Sequence, residues 1–283
     1  MRTSKPVTEL VRQRYSCRTC DGRPLEPEDR GRLDSFLSSV RTGPFGTPVR
    51  FKLVAAEEED ASALQGLGTY GFIRGATAYI LGAALQGDKC FEDFGYLMEA
   101  SILVATDLGL GTCWLGGTFT RSSFAQRMGL LEGELMPAVT SVGYPVERRT
   151  LRDRLIRLGA GSERRLAWDR LFFDRKLGIA LSREDAGQYA PALEAVRLGP
   201  SASNKQPWRV VRGDGVWDFY LSRSPGSMRG LGGRSAPSDL QRVDMGIALC
   251  HWEMTAREFG LQGRWAVDRQ ATRELDDLTE YIA

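Results

Sequence analysis

Residue types able to do chemistry through their own side chains are scarce in this chain, and their spacing points away from side-chain catalysis. A single histidine, His251, rules out a His-rich metal site. A serine or cysteine hydrolase would have only that base, which lies in the amphipathic segment MGIALCHWEMTAREFG, where a packing or surface role is expected. The five cysteines (Cys17, Cys20, Cys90, Cys113, Cys250) form an odd set without a regular framework, as expected of thiols in a reducing compartment. Cys17-Arg18-Thr19-Cys20 has the spacing of a thioredoxin-type redox pair but lacks the helix and βαβ context that lowers a thiol pKa. Gly66-Leu67-Gly68-Thr69-Tyr70-Gly71 matches the dinucleotide pattern GxGxxG, yet the preceding EEEDASALQ reads as helix or polar loop, not as a strand. Neither a metal ligand set nor a catalytic acid or base is expected.

Composition narrows the class further. A chain of 283 residues with 42% apolar content can bury a substantial core, as one large domain or two smaller ones. Basic and acidic residues nearly cancel, 38 against 36, so no electrostatic excess favours nucleic acid or an anionic membrane. No apolar run approaches the roughly 20 residues that span a bilayer, and MRTSKPVTELVRQRYS lacks the apolar core of a signal peptide. A cytoplasmic protein acting on a small molecule is the expectation.

The elements that must position any site are written twice. A shift of 156 residues lays PLEPEDRGRLDSFLSSVRTGP on ALSREDAGQYAPALEAVRLGP, with identities at Leu25/Leu181, Glu28/Glu184, Asp29/Asp185, Gly43/Gly199 and Pro44/Pro200 among others. A shift of 151 lays DFGYLMEASILVATDLGLGTCW on DMGIALCHWEMTAREFGLQGRW, pairing Asp93/Asp244, Gly95/Gly246, Gly109/Gly260 and Trp114/Trp265. The block order is kept, and the changed offset places insertions and deletions in the connections. Each copy should open with a helix at Pro27 or Arg183 and turn at Gly-Pro. Two short strands should follow, RFKLVAA and ATAYILGAA in the first copy, WRVVRG and VWDFYLS in the second. A long apolar helix should then stop at Gly109 or Gly260. A last strand, AVTSVGYP, is expected in the first copy only.

Two segments carry a family resemblance. Pro200-Ser201-Ala202-Ser203-Asn204-Lys205-Gln206-Pro207-Trp208 is similar to the signature segment of the FMN-dependent nitroreductases, and Arg14-Tyr15-Ser16-Cys17-Arg18 resembles their N-terminal Arg-x-Ser-x-Arg element. ASILVATDLGLGTCWLGG and AVTSVGYP resemble the family's helix, flavin-facing loop and late strand in the same order, so the likeness spans most of residues 10–265. It implies an α+β, nitroreductase-like fold with antiparallel or mixed sheets flanked by helices, in which two tandem half-repeats, 1–175 and 176–283, form an intrachain pseudo-dimer. The first copy reads Gly43-Pro44-Phe45-Gly46-Thr47-Pro48-Val49, three residues shorter than the second and without Asn, Gln or Trp. The second has no Arg-x-Ser-x-Arg element before Leu181 and runs only 18 residues past Trp265, which leaves no room for a phosphate-binding tail. One intact FMN site and one degenerate site are the expectation.

By that resemblance, Arg14, Tyr15, Ser16 and Arg18 would hold the FMN phosphate, with Arg164 and Arg165 completing the clamp. The chemistry agrees: a phosphate with close to two negative charges needs fixed cations and short donors. Leu115, Gly116 and Gly117 would bring backbone N–H groups to the isoalloxazine edge, although a simple tight turn would use the same glycines. Pro200, Ser201, Ala202, Ser203 and Asn204 would cover the ring, Gln206-Pro207-Trp208 would lock that loop onto the following strand, and Trp208 belongs to the core. The implied activity is ping-pong hydride transfer from NAD(P)H through flavin N5 to a nitroaromatic, quinone or similar electron-poor acceptor, by a monomer with no nucleic-acid or membrane partner. A flavin store or sensor without efficient turnover is the alternative.

Overall fold

The computed structural model describes residues 3–56, 64, 67–146, 164–224, 239–268 and 278–283. Two helices lead the chain, α1 (Val7–Gln13) and α2 (Pro27–Ser39). Proline opens α2, where its missing N–H costs nothing, and Glu28 and Asp29 sit at the positive end of the helix. The corresponding helical region of the second copy is broken. α5 (Arg183–Ala186) is capped by the Ser182 side chain, the chain kinks at Gly187 with φ of +53°, and α6 (Ala190–Leu198) resumes.

Between α2 and α5 lie β1 (Val49–Ala55), β2 (Ala78–Leu85), α3 (Cys90–Asp107), β3 (Gly111–Leu115), α4 (Arg121–Met128), β4 (Glu134–Leu135), β5 (Val139–Gly143) and β6 (Phe172–Asp174). The first sheet runs in the order β1-β2-β5-β3, antiparallel throughout, with β4 on the end of β2. After α6 come β7 (Trp208–Arg212), β8 (Trp217–Ser222), α7 (Leu240–Glu258) and β9 (Thr279–Tyr281). The second sheet runs β6-β7-β8-β9, with β6 parallel to β7 and the other pairs antiparallel. All four strands expected ahead of the two long helices form, as does AVTSVGYP as β5. The long helices give way to left-handed Gly109 (φ +76°) and Gly260 (φ +75°) as their spacing implied.

Two features depart from the sequence reading. β9 gives the second copy a strand after its long helix, antiparallel to β8 as β5 is to β2. Three residues are too few to leave an alternating pattern, and the segment is held from outside, by Ile282 N donating to Phe219 O at 2.8 Å and Phe219 N to Ala283 O at 2.7 Å. β6 lies within the 1–175 range but is built into the second sheet, so the end of the first range crosses to the other half.

α3 and α7 form the most extensive contact between helices, and nearly every residue of α3 is buried. Two glycines set their approach. A Cβ on Gly95 would lie 2.1 Å from Val243 O, and one on Gly246 would lie 2.0 Å from Glu92 O. Since 92 and 243, like 95 and 246, differ by the 151-residue shift, the two contacts are reciprocal, the form an isologous interface takes. Among the described residues no helix is long and apolar enough to cross a membrane.

Candidate functional site

Arg14 caps the C-terminus of α1, and the chain then runs extended beside β3. Ser16 pairs in parallel with Thr112, and Cys17 N donates to Thr112 O at 2.8 Å. Arg14, Ser16 and Arg18 converge on one thiol. Burial pushes Cys113 up to about 11, against the pull of Arg18 and Arg14 and a hydrogen bond from Ser16. The Arg18 guanidinium lies 5.0 Å from the centre of the Phe72 ring, and its Nε and Nη1, together with Arg14 Nε, are buried without a hydrogen-bond partner among the described residues. Buried cationic donors without an acceptor are costly, and the two on Arg18 are of the kind an anion would satisfy. Tyr15 lines a small adjoining cavity of about 130 Å³ with Arg14, Thr112 and Pro145.

Arg14 is also tied to a buried pair that its own motif does not reveal. Its Nε lies 3.6 Å from Glu99 Oε1, while Glu99 accepts from Trp114 Nε1 at 2.8 Å and pairs with His251 Nε2 at 2.9 Å. His251 Nδ1 sits 2.8 Å from Ala195 O. Burial alone would raise the Glu99 carboxyl. The His251 hydrogen bond, the Arg14 charge and the Trp114 N–H outweigh it and hold the acid below its ordinary range. His251 therefore packs, fully buried, between α6 and α3.

The loop after α6 is strained and heavily braced. Ser203, Asn204 and Gln206 all have positive φ, at 51°, 54° and 50°, a conformation that side-chain-bearing residues hold only when their surroundings enforce it. The bracing is visible. Ala202 N donates to both Asp244 oxygens at 3.0 and 3.1 Å, Gln206 N to Ser201 Oγ at 2.8 Å, and Leu166 N to Gln206 Oε1 at 2.8 Å. Arg165 donates through Nη1 to Asn204 Oδ1 at 2.8 Å and through Nη2 to Leu198 O at 3.1 Å, while Asn204 Nδ2 donates to Arg164 O at 2.8 Å. Gln206 thus fastens the loop to 164–166, where a lock onto the following strand was expected. The Arg165 guanidinium braces this loop, and Arg164, exposed, contributes its carbonyl. Trp208 is fully buried, as expected of a core residue.

One face of α7 gathers these segments. Leu240 fills the space where a Cβ on Gly116 would fall, at 2.6 Å; Asp244, one turn on, holds Ala202; His251, two turns further, reaches Glu99 and so Arg14. A Cβ on Gly199, just before Pro200, would lie 3.6 Å from His251 Nδ1. The arginine element and the amide-bearing loop therefore lie on either side of one buried pair. Leu115 buries its side chain in the cluster around Phe124 and Val139, so only its backbone can face a ligand, and Gly117 is exposed.

The comparisons with known proteins bear on this arrangement. The family model described as "Putative TM nitroreductase" matches residues 6–256. The chain belongs to this nitroreductase family. Its fold is similar to that of a "putative nitroreductase" from Thermotoga maritima MSB8, 20% identical, with a TM-score of 0.55 over 91% of this chain and 87% of that one. Two further structures match about half of it. A "nitroreductase family protein" from Clostridium difficile 630 is 19% identical, TM-score 0.40, covering 53% of this chain and 91% of that one. A "putative nitroreductase in complex with fmn" from Desulfovibrio desulfuricans is 22% identical, TM-score 0.39, covering 54% and 97%. No curated protein matches the sequence.

Other motifs fall into place around the family's elements. Cys17 and Cys20 face each other with sulfurs 4.0 Å apart, both buried, and the Cys17 hydrogen bond together with burial pushes the Cys20 thiol far up, the opposite of an activated pair. Of GxGxxG, Gly66 lies outside the described residues. Positions 67–71 are loop and turn between β1 and β2. Sequence reasoning missed Glu99 and Leu240 and gave His251 no specific partner. Only Asp244 left a signal, its identity with Asp93 across the repeat. Asp93 does the same service in the first copy, accepting from Phe45 N at 2.9 Å and Thr47 N at 2.8 Å.

Proposed function

We propose that the chain is an FMN-dependent oxidoreductase of nitroreductase type, passing hydride from NAD(P)H to a nitroaromatic, quinone or similar electron-poor acceptor, the two substrates taking turns at one face. The observation that carries this reading is the pair of buried donors Arg18 Nε and Nη1, without a hydrogen-bond partner among the described residues, in a family member whose element at that place matches Arg-x-Ser-x-Arg. A phosphate dianion fits them in charge and in donor chemistry. When bound, FMN would supply the two-electron chemistry. Arg14, Ser16 and Arg18 would hold its phosphate, the backbone of 115–117 would meet one ring edge, and Pro200 to Asn204 would cover the ring. Asp244, Arg165 and Gln206 would keep that cover in its strained shape, so that little ordering is left to be done on binding.

The same reading takes 1–175 and 176–283 as two copies of one unit forming a pseudo-dimer that works as a monomer. The reciprocal Gly95 and Gly246 contacts support it. Reconstitution tests the whole proposal. FMN should bind, and the loaded protein should oxidise NADPH or NADH in the presence of a quinone with parallel-line kinetics. Binding without turnover would instead indicate a flavin store, and absence of binding would remove the proposal.

A further inference from the structure

A cavity of about 480 Å³ lies between loop 44–48, the stretch 85–89 that leads from β2 into α3, and residues 265–267 after α7. Its position in the repeat is specific. The 156-residue shift carries Pro44–Thr47 onto Pro200–Ser203, and the 151-residue shift carries Trp265, Ala266 and Val267 back onto Trp114, Leu115 and Gly116. The cavity is thus walled by the counterparts of both segments assigned to the flavin ring, with the copies exchanged.

What it has lost excludes a flavin phosphate. The second copy has no Arg-x-Ser-x-Arg element before Leu181 to supply phosphate donors. The loop has no counterpart of Asn204 or Gln206, and its Phe45 and Thr47 N–H groups are taken by Asp93. What it has gained is an aromatic wall with one buried cation. The Lys89 ammonium lies 5.9 Å from the centre of the Phe45 ring, with its side chain only 10% exposed. It donates to Ile282 O at 3.1 Å and lies 4.0 Å from Glu92, which leaves a third N–H for a ligand. Across the cavity the Trp265 indole is fixed by its N–H to Glu253 Oε2 at 2.6 Å. Asp88 sits exposed in the same lining, which disfavours a second negative charge.

We infer that this cavity is a second small-molecule site that takes a flat, phosphate-free aromatic ring bearing one carboxylate, the ring between Phe45 and Trp265 and the carboxylate on Lys89. Its volume lies in the range of ligand pockets, roughly 300–1,000 Å³. Its place in the fold rests on the duplication reading, while the ligand class rests on the lining itself.

Calorimetric titration of the flavin-loaded full chain with 2-naphthoate tests it. One naphthoate per chain should bind, with an affinity that saturating FMN does not change. Lys89→Met should weaken naphthoate about tenfold or more and leave uncharged 2-naphthamide unaffected, since only the charge-assisted bond is lost. Val267→Trp, at the partly exposed mouth, should abolish both ligands without lowering the melting temperature. Competition between naphthoate and FMN, equal binding by Lys89→Met, or no binding to the wild type would each overturn the inference. The flavin proposal fails separately: Arg18→Ala should lose FMN and keep naphthoate.

Discussion

Arg18 carries the most exposed wager at the scale of single residues. Its guanidinium is shielded by Phe72 and two of its nitrogens have no partner, so its substitution should cost the protein little stability and the cofactor much. Arg18→Ala is expected to weaken FMN binding by about 2–3 kcal/mol, roughly 30- to 150-fold, the value of a charge-assisted hydrogen bond to phosphate. Quenching of FMN fluorescence on titration measures this, and unchanged affinity would move the phosphate elsewhere. Glu92 makes a second prediction. Burial pushes its carboxyl from the ordinary 4.5 up to about 7, against the pull of Arg242 and Lys89. Such an acid holds its proton more tightly folded than unfolded, so stability falls as pH rises from about 4.5 to 7, by up to about 3 kcal/mol. Glu92→Gln should flatten that slope in urea unfolding at pH 5 to 8, and an unaltered slope would assign it to other groups.

At the scale of elements, the α3–α7 seam is the feature the rest hangs on. Gly246→Ala would drive a Cβ into Glu92 O, a backbone atom with no freedom to retreat, so the helices must separate. A loss of about 3 kcal/mol or more is expected, read as a lower unfolding midpoint; a change under about 0.5 kcal/mol would mean the seam is looser than it looks. Glu99→Ala should be as harmful, about 3–5 kcal/mol, because it strands Arg14, the Trp114 N–H and His251 in the same buried space. How much of this was legible follows a physical division. Gly95/Gly246 and Asp93/Asp244 appear in the sequence as identical pairs, since a close backbone approach and a loop-holding carboxylate each demand one residue type. The Glu99–His251 pair leaves no such trace, as 152 residues separate its members and the repeat places Cys250 and Ala100 opposite them. The bracing by Arg165 and Gln206 was equally invisible, because a local motif does not say which distant carbonyls its side chains will meet.

For the whole molecule, the duplication reading gives the two halves one plan and has them differ at the places proposed for a cofactor. Arg14 and Arg18 stand near the start of the chain, the strained amide-bearing loop stands past its middle, and His251 of α7 links Arg14, through Glu99, to the helix ahead of that loop. The second copy has no Arg-x-Ser-x-Arg element before Leu181. Such a molecule should carry one flavin. Absorbance of the protein saturated with FMN and freed of excess, set against quantitative amino-acid analysis, measures the ratio most directly. The account requires one FMN per 283-residue chain. Two per chain, or none at saturation, would contradict it.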